Sequence, residues 1–303
     1  MGLIGDCGLM LEPQLGMGFR EVVAWAAYAE THGYGYILRS DHLLPTQGDR
    51  NRDSPECWVT LGAVAAVTKR IKFGPMVSPV GFRNPAMLAQ MSSNLHAYSR
   101  GRLVLGLGAG WYQEEYKAKG FEFPTLEDRH DQLTEALKII RPLTEGNRVT
   151  FTGKHYNANT ICYPYPQSKL RLVLGGWSQF VRRAANGYAD ELNLWNGVPA
   201  DFKEIKQQIN KKIEISRAGI FFLAESSKKL QRKLKEKSGL LKELNLPTNI
   251  NELKEREVLC GDVEEFIGQL KEFSKAGVDR FYFDILDTRD KEMIDLLTHI
   301  LKY

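Results

Sequence analysis

A serine, an aspartate and a histidine occupy positions 40–42, directly after the apolar segment YGYILR. The imidazole of His42 titrates near neutral pH, so this side chain is suited to donate or accept a proton during a reaction. The carboxylate of Asp41 precedes it in the chain. The group therefore predicts a proton-transfer site at the end of a strand.

A pair of glycines, Gly175 and Gly176, precedes Trp177 and Ser178 at the start of a predicted helix. Such a turn exposes free backbone N–H groups, and the positive end of the helix dipole lies beside them. Together these features bind phosphate. The segment predicts the seat of a phosphate group that belongs to a ligand.

The segment GRLVLGLGAGWYQEE, residues 101–115, carries glycines at the alternate positions 106, 108 and 110. The dinucleotide motif G-x-G-x-x-G does not fit, because its third glycine would fall at Trp111. Glycine lacks a Cβ, so the end of this strand can approach another surface closely. We expect the backbone around Ala109 and Gly110 to form a wall that lies against a ligand.

Short apolar runs alternate with helical patterns along the chain and predict eight strand–helix units. Eight units indicate a (β/α)8 TIM barrel with insertions, whereas a doubly wound sheet has fewer strands and leaves the last third of the chain unexplained. We expect one domain over residues 1–303, with a hairpin insertion near 148–170 and a basic insertion near 228–257. The predicted strands are CGLMLEP, YGYILRSDHL, IKFGPMVSPV, RLVLGLG, RLVLGG, DELNLWN, AGIFFLAES and VDRFYFDIL.

The loops at the carboxyl ends of the strands build the active site of a TIM barrel. By this rule, the mouth of the barrel should contain His42, the backbone wall around Ala109 and Gly110, and the Gly175–Gly176 turn. Ser78, at the end of the third strand, should lie there as well. A phosphate seat, a wall free of side chains and a titratable group suit a planar phosphorylated cofactor.

Amino-acid composition argues against several classes of protein, among them nucleic-acid-binding, secreted and membrane proteins. Of the 303 residues, 43% are hydrophobic and 26% charged, and the net charge of +4 is too small to indicate nucleic-acid binding. The four cysteines lie far apart and predict reduced thiols rather than disulfides or zinc ligands. The N-terminal segment lacks the basic start of a signal peptide, and apolar runs fall short of the roughly 18 residues of a membrane helix. We expect a cytoplasmic protein that binds neither membranes nor nucleic acid.

Other polar residues are expected to be structural. Glu114 and Glu115 suit the N-terminus of a helix, where they stabilise the dipole. The run SSKKLQRKLKEK suits a solvated helix face, with attraction of a polyanionic cofactor tail or substrate as the alternative. No spacing of histidines and carboxylates indicates a metal site. The histidines assigned to structural roles are His32, His96, His130, His155 and His299.

These segments, in this order, resemble the luciferase-like monooxygenase superfamily, and most closely its group of coenzyme F420-dependent oxidoreductases. The likeness is strongest between Ser40 and Asn196 and includes RSDHL, a nearly continuous stretch over residues 58–124, and RLVLGGWSQFVRRAANGYADELNLWN. The later segment VLCGDVEEFIGQLKEFSKAGVDRFYFDIL resembles the C-terminal unit of the family. The basic segment over residues 228–257 has no clear counterpart.

The resemblance implies roles for individual residues. His42 would act near the hydride-accepting ring, and Ser78 would place a hydroxyl near the cofactor on a strand that often carries a cis-peptide bulge in this family. The sugar-phosphate dehydrogenases of the superfamily have a glutamate where this chain has Trp111 and a tryptophan where it has Thr46, which disfavours glucose 6-phosphate as substrate. The residues implied to bind the cofactor are Asp41, Ser78, Ala109, Gly110, Gly175, Gly176, Trp177 and Ser178.

The function implied is hydride transfer between F420 and a small organic substrate, either an alcohol/carbonyl pair or an activated alkene. The deazaflavin ring has carbon in place of the flavin N5, so it carries hydride and reacts poorly with oxygen. An FMN-dependent monooxygenase that uses reduced flavin and oxygen is the alternative, because FMN has the same ribityl phosphate. A non-catalytic flavin-binding protein is the alternative from another class.

The resemblance also implies a homodimer that pairs through the helices of the second and third units. The segments FREVVAWAAYAE and WVTLGAVAAVTKR carry Ala, Val and Trp around much of their circumference, which is more than one core-facing stripe needs. Close packing of small alanines against the barrel is the alternative explanation.

Overall fold

A computed structural model describes residues 3–49 and 51–302 of the chain. Apolar β-forming runs make its strands and amphipathic runs make its helices. The strands are β1 (Cys7–Leu11), β2 (Tyr36–Arg39), β3 (Lys72–Pro75), β4 (Ser78–Pro79), β5 (Val104–Gly108), β6 (Val149–Thr152), β7 (Asn157–Thr160), β8 (Arg171–Gly175), β9 (Glu191–Trp195), β10 (Glu214–Ala224), β11 (Leu259–Asp262) and β12 (Arg280–Ile285). The α-helices are α1 (Phe19–His32), α2 (Cys57–Val67), α3 (Pro85–Tyr98), α4 (Gln113–Ala118), α5 (Leu126–Thr144), α6 (Gln179–Tyr188), α7 (Pro199–Gln208), α8 (Ser227–Glu236), α9 (Ser238–Glu243), α10 (Ile250–Glu255), α11 (Val263–Lys275) and α12 (Lys291–Lys302).

The main sheet is parallel and closes into a barrel. Its strands follow the order β3-β2-β1-β12-β10-β9-β8-β5-β4, and β11 adds a further parallel partner to β10. A parallel bridge between Phe73 and Leu103 joins β3 to the start of β5 and closes the ring. Since β3 and β4 are two halves of one broken strand, the ring has eight positions. The predicted TIM barrel is confirmed.

Helix starts follow ordinary capping chemistry, which fixes where each βα loop ends. The Asn84 side chain accepts a hydrogen bond from the backbone N–H of Ala86 at 2.9 Å, and Pro85 fills the first helical position of α3. The hydroxyl of Thr125 accepts from the backbone N–H of Asp128 at 3.1 Å at the start of α5. At α3 and α5 the loop before the helix therefore ends at a capped residue.

Buried side chains fill the barrel and close its amino-terminal end. Glu191 is fully buried there and accepts hydrogen bonds from Tyr282 Oη at 2.8 Å and from Arg280 Nη1 at 3.0 Å. Arg171 pairs with the same carboxylate at 2.7 Å. Above this plug lies an apolar layer inside the barrel. Its members are Met10, Tyr36, Leu38, Met76, Val104, Val173, Ala218 and Tyr282.

Two segments interrupt the alternation of barrel strands and helices. Strands β6 and β7 form an antiparallel hairpin over residues 149–160. Helices α8, α9 and α10 occupy the basic segment. Strand β11 was not predicted, because VLCG is short and lies between two charged segments.

One stripe of α8 differs from the predicted solvated face. Lys233 Nζ lies 3.1 Å from Asp290 Oδ1, and Lys237 Nζ lies 3.1 Å from the second oxygen of that carboxylate. Lys229 and Lys233 both pair with Glu292. The stripe is therefore held against the start of α12 and its charge is neutralised, which removes the main support for a polyanion-binding face.

The four cysteines, Cys7, Cys57, Cys162 and Cys260, are free and buried. Burial raises the pKa of Cys7 to about 12, so this thiol stays protonated. Within residues 3–49 and 51–302, we find no helix with the length and apolar character to cross a membrane.

Candidate active site

A cavity of about 610 Å3 opens at the carboxyl ends of the barrel strands. Three tryptophans, Trp111, Trp177 and Trp195, lie on its wall. Eight of the nine predicted site residues line it, namely Asp41, His42, Ala109, Gly110, Gly175, Gly176, Trp177 and Ser178. The fold thus brings together groups that are separated by more than 130 positions in the chain.

Ser78, the ninth, lies behind the cavity wall. Its hydroxyl donates to Asp41 Oδ2 at 2.5 Å and accepts from the indole N–H of Trp58 at 3.1 Å. The side chain is fully buried and does not line the cavity. Ser78 therefore positions Asp41, and this placement differs from the hydroxyl beside the cofactor that the resemblance implied.

Asp41 is held by an arginine that sequence reasoning did not single out. Arg83 Nη1 lies 2.6 Å from Asp41 Oδ2, and Nη2 lies 3.1 Å from Oδ1. The same guanidinium also pairs with Glu56. A bidentate pair of this kind fixes the carboxylate in one orientation and neutralises its charge.

His42 is oriented by Glu115 at the start of α4. Its Nδ1 lies 3.0 Å from Glu115 Oε1, and the backbone N–H of Leu43 donates to Oε2 at 2.9 Å. Burial lowers the pKa of His42, but the hydrogen bond and charge of Glu115 outweigh this effect and raise the pKa above its ordinary value. With Nδ1 bound, Nε2 is the ring nitrogen left to face a ligand.

The expectation that Glu115 only stabilises a helix end is wrong. Its side chain is 1% exposed, and both oxygens are used by the segment after β2. Glu114 beside it is exposed and fits the expected role. The two carboxylates have the same local sequence signature, and only the fold separates them.

The alternate glycines of β5 make room for protein atoms. A Cβ at Gly108 would lie 2.7 Å from Val77 Cγ2, and one at Gly175 would lie 2.9 Å from Val77 Cγ1. A Cβ at Gly106 would collide with the carbonyl oxygen of Pro75. The peptide bond between Met76 and Val77 is cis. The side chain of Val77 thus fills the space that we assigned to a ligand, and the residue backs the cavity wall.

The Gly175–Gly176 turn leads from β8 into helix α6. Gly176 has a φ of 139°, which side chains rarely tolerate, and α6 begins three residues later. The Ser178 hydroxyl accepts from the backbone N–H of Val181 at 3.2 Å and caps the helix. Trp177 is fixed by its indole N–H, which donates to the carbonyl of Trp195 at 2.9 Å. Ser178 and Val181, at the start of α6, therefore line the cavity.

Two carboxyl groups that sequence reasoning missed line the side of the cavity that lies across from β5. Glu12 follows β1 and Asp284 lies in β12. Asp284 is 1% exposed, and its Oδ1 has no hydrogen-bond partner among the described residues. Burial, followed by the charge of Glu12, raises the pKa of Asp284 well above its ordinary value. The sequence signal that could have indicated Asp284 was a single carboxylate inside the apolar run FYFDIL.

Histidine His130 also lines the cavity, although we expected it to be structural. Its ring stacks on Phe180 with centroids 4.1 Å apart. Burial lowers its pKa, which favours the neutral ring. His130 is thus part of the wall near the start of α6.

A model of the luciferase-like monooxygenase family matches residues 6–238. The chain belongs to the luciferase-like monooxygenase family. The resemblance that the sequence motifs indicated is confirmed by this match.

Several members of the luciferase-like group resemble this chain. An F420-dependent glucose-6-phosphate dehydrogenase of Amycolatopsis mediterranei is 27% identical over 295 residues, which cover 88% of each chain. An F420-dependent hydroxymycolic acid dehydrogenase of Mycobacterium tuberculosis is 38% identical over 141 residues, or 46% of this chain and 39% of that protein. The solved structure of an F420-dependent secondary alcohol dehydrogenase with an F420–acetone adduct superimposes with a TM-score of 0.82 over 97% of both chains at 23% identity. The superposition on the secondary alcohol dehydrogenase supports the assignment of the barrel fold.

Proposed function

We propose that this protein is an F420-dependent oxidoreductase that moves a hydride between the deazaflavin and a small organic substrate, an alcohol/carbonyl pair or an activated alkene. The observation that carries the proposal is the His42–Glu115 pair at the edge of a cavity that is also lined by the Gly175–Gly176 turn. The F420-dependent relative that aligns over 88% of both chains supports the choice of cofactor.

The residues present fit such a cofactor. The N-terminus of α6 with Gly175, Gly176 and Ser178 would hold its phosphate, and Val77 with Ala109 would back its ring. When bound, F420 supplies a carbon that accepts or gives up a hydride. Asp41, fixed by Arg83, would accept hydrogen bonds from the polar edge of the ring system.

His42 supplies the proton chemistry of the reaction. Oxidation of an alcohol removes a hydride from carbon and a proton from oxygen, and Nε2 of the neutral His42 ring takes the proton. The carboxylate of Glu115, bound to Nδ1, stabilises the imidazolium that forms. In the reverse direction the same imidazolium returns the proton to the carbonyl oxygen. A pure binding protein needs no buried acid behind a histidine in this position.

The cofactor is tested by titration of the purified protein with F420 and with FMN, each followed by its fluorescence. We expect saturable F420 binding in the micromolar range or below, and FMN binding at least about tenfold weaker. FMN binding without F420 binding would instead support the monooxygenase alternative. A bound F420 that stays inert to broad panels of alcohols, carbonyls and alkenes would support the non-catalytic alternative.

We further propose that the protein is a homodimer of single-domain chains. Helices α2 and α3 present exposed apolar side chains to one side of the barrel, among them Val59, Val67, Met87 and Tyr98. Such a patch in a folded protein supports an interface. The free, buried state of all four cysteines supports a reducing compartment, and we propose the cytoplasm.

A further inference from the structure

Asp284 lies across the cavity from the glycine wall. In the eight-position ring, β12 stands four positions from β5 whichever way the ring is followed, so the two strands face each other across the barrel. A flat cofactor that lies against Val77 and β5 would turn its open face toward Asp284. The substrate must occupy the space between them.

Asp284 and Glu12 differ from the other carboxylates of the cavity in their partners. Asp41 is paired with Arg83, and Glu115 behind the wall is paired with His42. Glu12 accepts a hydrogen bond from the Gln14 amide. Two positive side chains, His42 and Arg39, act on its charge, and each is bound to other groups of the protein.

Asp284 has no hydrogen bond to Oδ1 in the part of the chain that the structure describes. No lysine or arginine is among the described residues that line the cavity. A buried carboxyl group without a counter-charge tends to keep its proton, and a bound cation would stabilise its ionised form.

Aliphatic side chains border Asp284 in the cavity. Ile220 of β10 stands beside Asp284 in the parallel register, and Leu286 follows β12. Leu244 and Leu246, from the segment after α9, complete this side of the cavity. A ligand that binds at Asp284 would therefore meet aliphatic side chains beside the carboxyl group.

We propose that the substrate is a small, largely apolar molecule that carries a protonated amine, and that its ammonium group binds between Asp284 and Glu12. This inference rests on the proposed cofactor site, because the ammonium would face the open side of the bound ring. The ammonium supplies the missing counter-charge to Asp284, and the apolar part of the substrate packs on Ile220 and the three leucines. A sugar phosphate does not fit this end of the cavity, because its phosphate would meet two carboxylates and no basic side chain.

The test is isothermal titration calorimetry of the F420-loaded protein with benzylammonium, benzyl alcohol and benzoate at equal ionic strength. These probes share a ring and differ in the charge of one group. We expect benzylammonium to bind at least about tenfold more tightly than benzyl alcohol, and benzoate to show no binding. Equal binding of the alcohol and the ammonium, or tighter binding of benzoate, would overturn the proposal.

Two variants localise the binding. Asp284→Asn keeps the shape and removes the charge, and we expect it to weaken benzylammonium binding about tenfold or more while F420 binding is unchanged. Asp131→Asn, at a half-buried position on α5 that does not line the cavity, is the control and should change neither affinity. Unchanged benzylammonium affinity in Asp284→Asn would also overturn the proposal.

F420 fluorescence, measured on the same samples, separates the two proposals. Loss of F420 binding in the wild-type protein would contradict the proposed function. Normal F420 binding without a preference for the ammonium would contradict only the inference about the substrate. The comparison of the three probes on the wild-type protein decides the inference even if a variant does not fold.

Discussion

His42 Nδ1 lies 3.0 Å from Oε1 of Glu115, a residue 73 positions further along the chain. The pair joins the segment after β2 to the start of α4 and sets both the orientation and the pKa of the imidazole.

Removal of the charge at position 115 should lower the pKa of His42. Glu115→Gln keeps a hydrogen-bond acceptor for Nδ1 but loses the carboxylate that stabilises the imidazolium. The pKa of His42, measured by NMR of histidine-labelled protein, should fall, and the rise of turnover with pH should move to lower pH. Glu114→Gln is the matched control on the same helix and should leave the His42 pKa unchanged. An unaltered pKa in Glu115→Gln would show that the pair does not tune the histidine.

Replacement of His42 should affect turnover more than cofactor binding. In His42→Ala we expect turnover to drop roughly 100- to 10,000-fold, which is the usual contribution of a general acid or base. The dissociation constant for F420 should change by less than about tenfold. Turnover is measured with any substrate found in the panels, and binding by F420 fluorescence. Near-full turnover would assign His42 to a structural role.

Asp284 should make stability depend on pH. Because its pKa in the folded protein is raised, its contribution to the free energy of unfolding is fully present below the unfolded value of about 3.9 and is lost as pH rises through the folded value. Asp284→Asn removes this loss, so it should match the wild-type melting temperature near pH 4 and exceed it by a few degrees at pH 7. A melting-temperature difference between the two proteins that does not depend on pH would contradict this assignment.

Substitutions of Gly108 and Val77 should be energetically coupled. Gly108→Ala places a Cβ 2.7 Å from Val77 Cγ2 and should destabilise the protein by about 1–3 kcal/mol. Val77→Ala should recover much of that loss in the double variant, which is measured as a coupling energy from urea unfolding. Gly268→Ala, in helix α11 with no atom within 4 Å of its Cβ, is the control and should stabilise slightly. Additive effects of Gly108→Ala and Val77→Ala would contradict the contact.

The face of α2 and α3 should govern assembly. Light scattering should give the wild-type protein twice the 34.4 kDa mass of one chain. Val59→Glu together with Met87→Glu should give the mass of a single chain, because two charges would be buried in the interface. Val198→Glu, an exposed position outside this face, should leave the mass unchanged. A wild-type mass equal to that of one chain would show that these exposed apolar side chains do not form a dimer interface.

The barrel and the positions of Asp41, His42 and the Gly175–Gly176 turn could be predicted, because strand ends in a parallel barrel share one edge and local patterns mark those ends. Glu115 could not be separated from Glu114, because adjacent acids at a helix start look alike until a distant segment selects one. The role of Gly108 was only half predictable. Glycine shows that a side chain is excluded, but not that Val77 occupies the space.

The plug at the amino-terminal end of the barrel has a consequence for kinetics. That end is closed by Glu191, Arg280 and Tyr282. In the part of the chain that the structure describes, the cavity therefore opens only at the carboxyl ends of the strands. Cofactor and substrate must pass through the same opening in both directions. The molecule that reaches deeper toward Asp284 and Glu12 must bind first and leave last. Product-inhibition patterns should therefore show a compulsory order of binding.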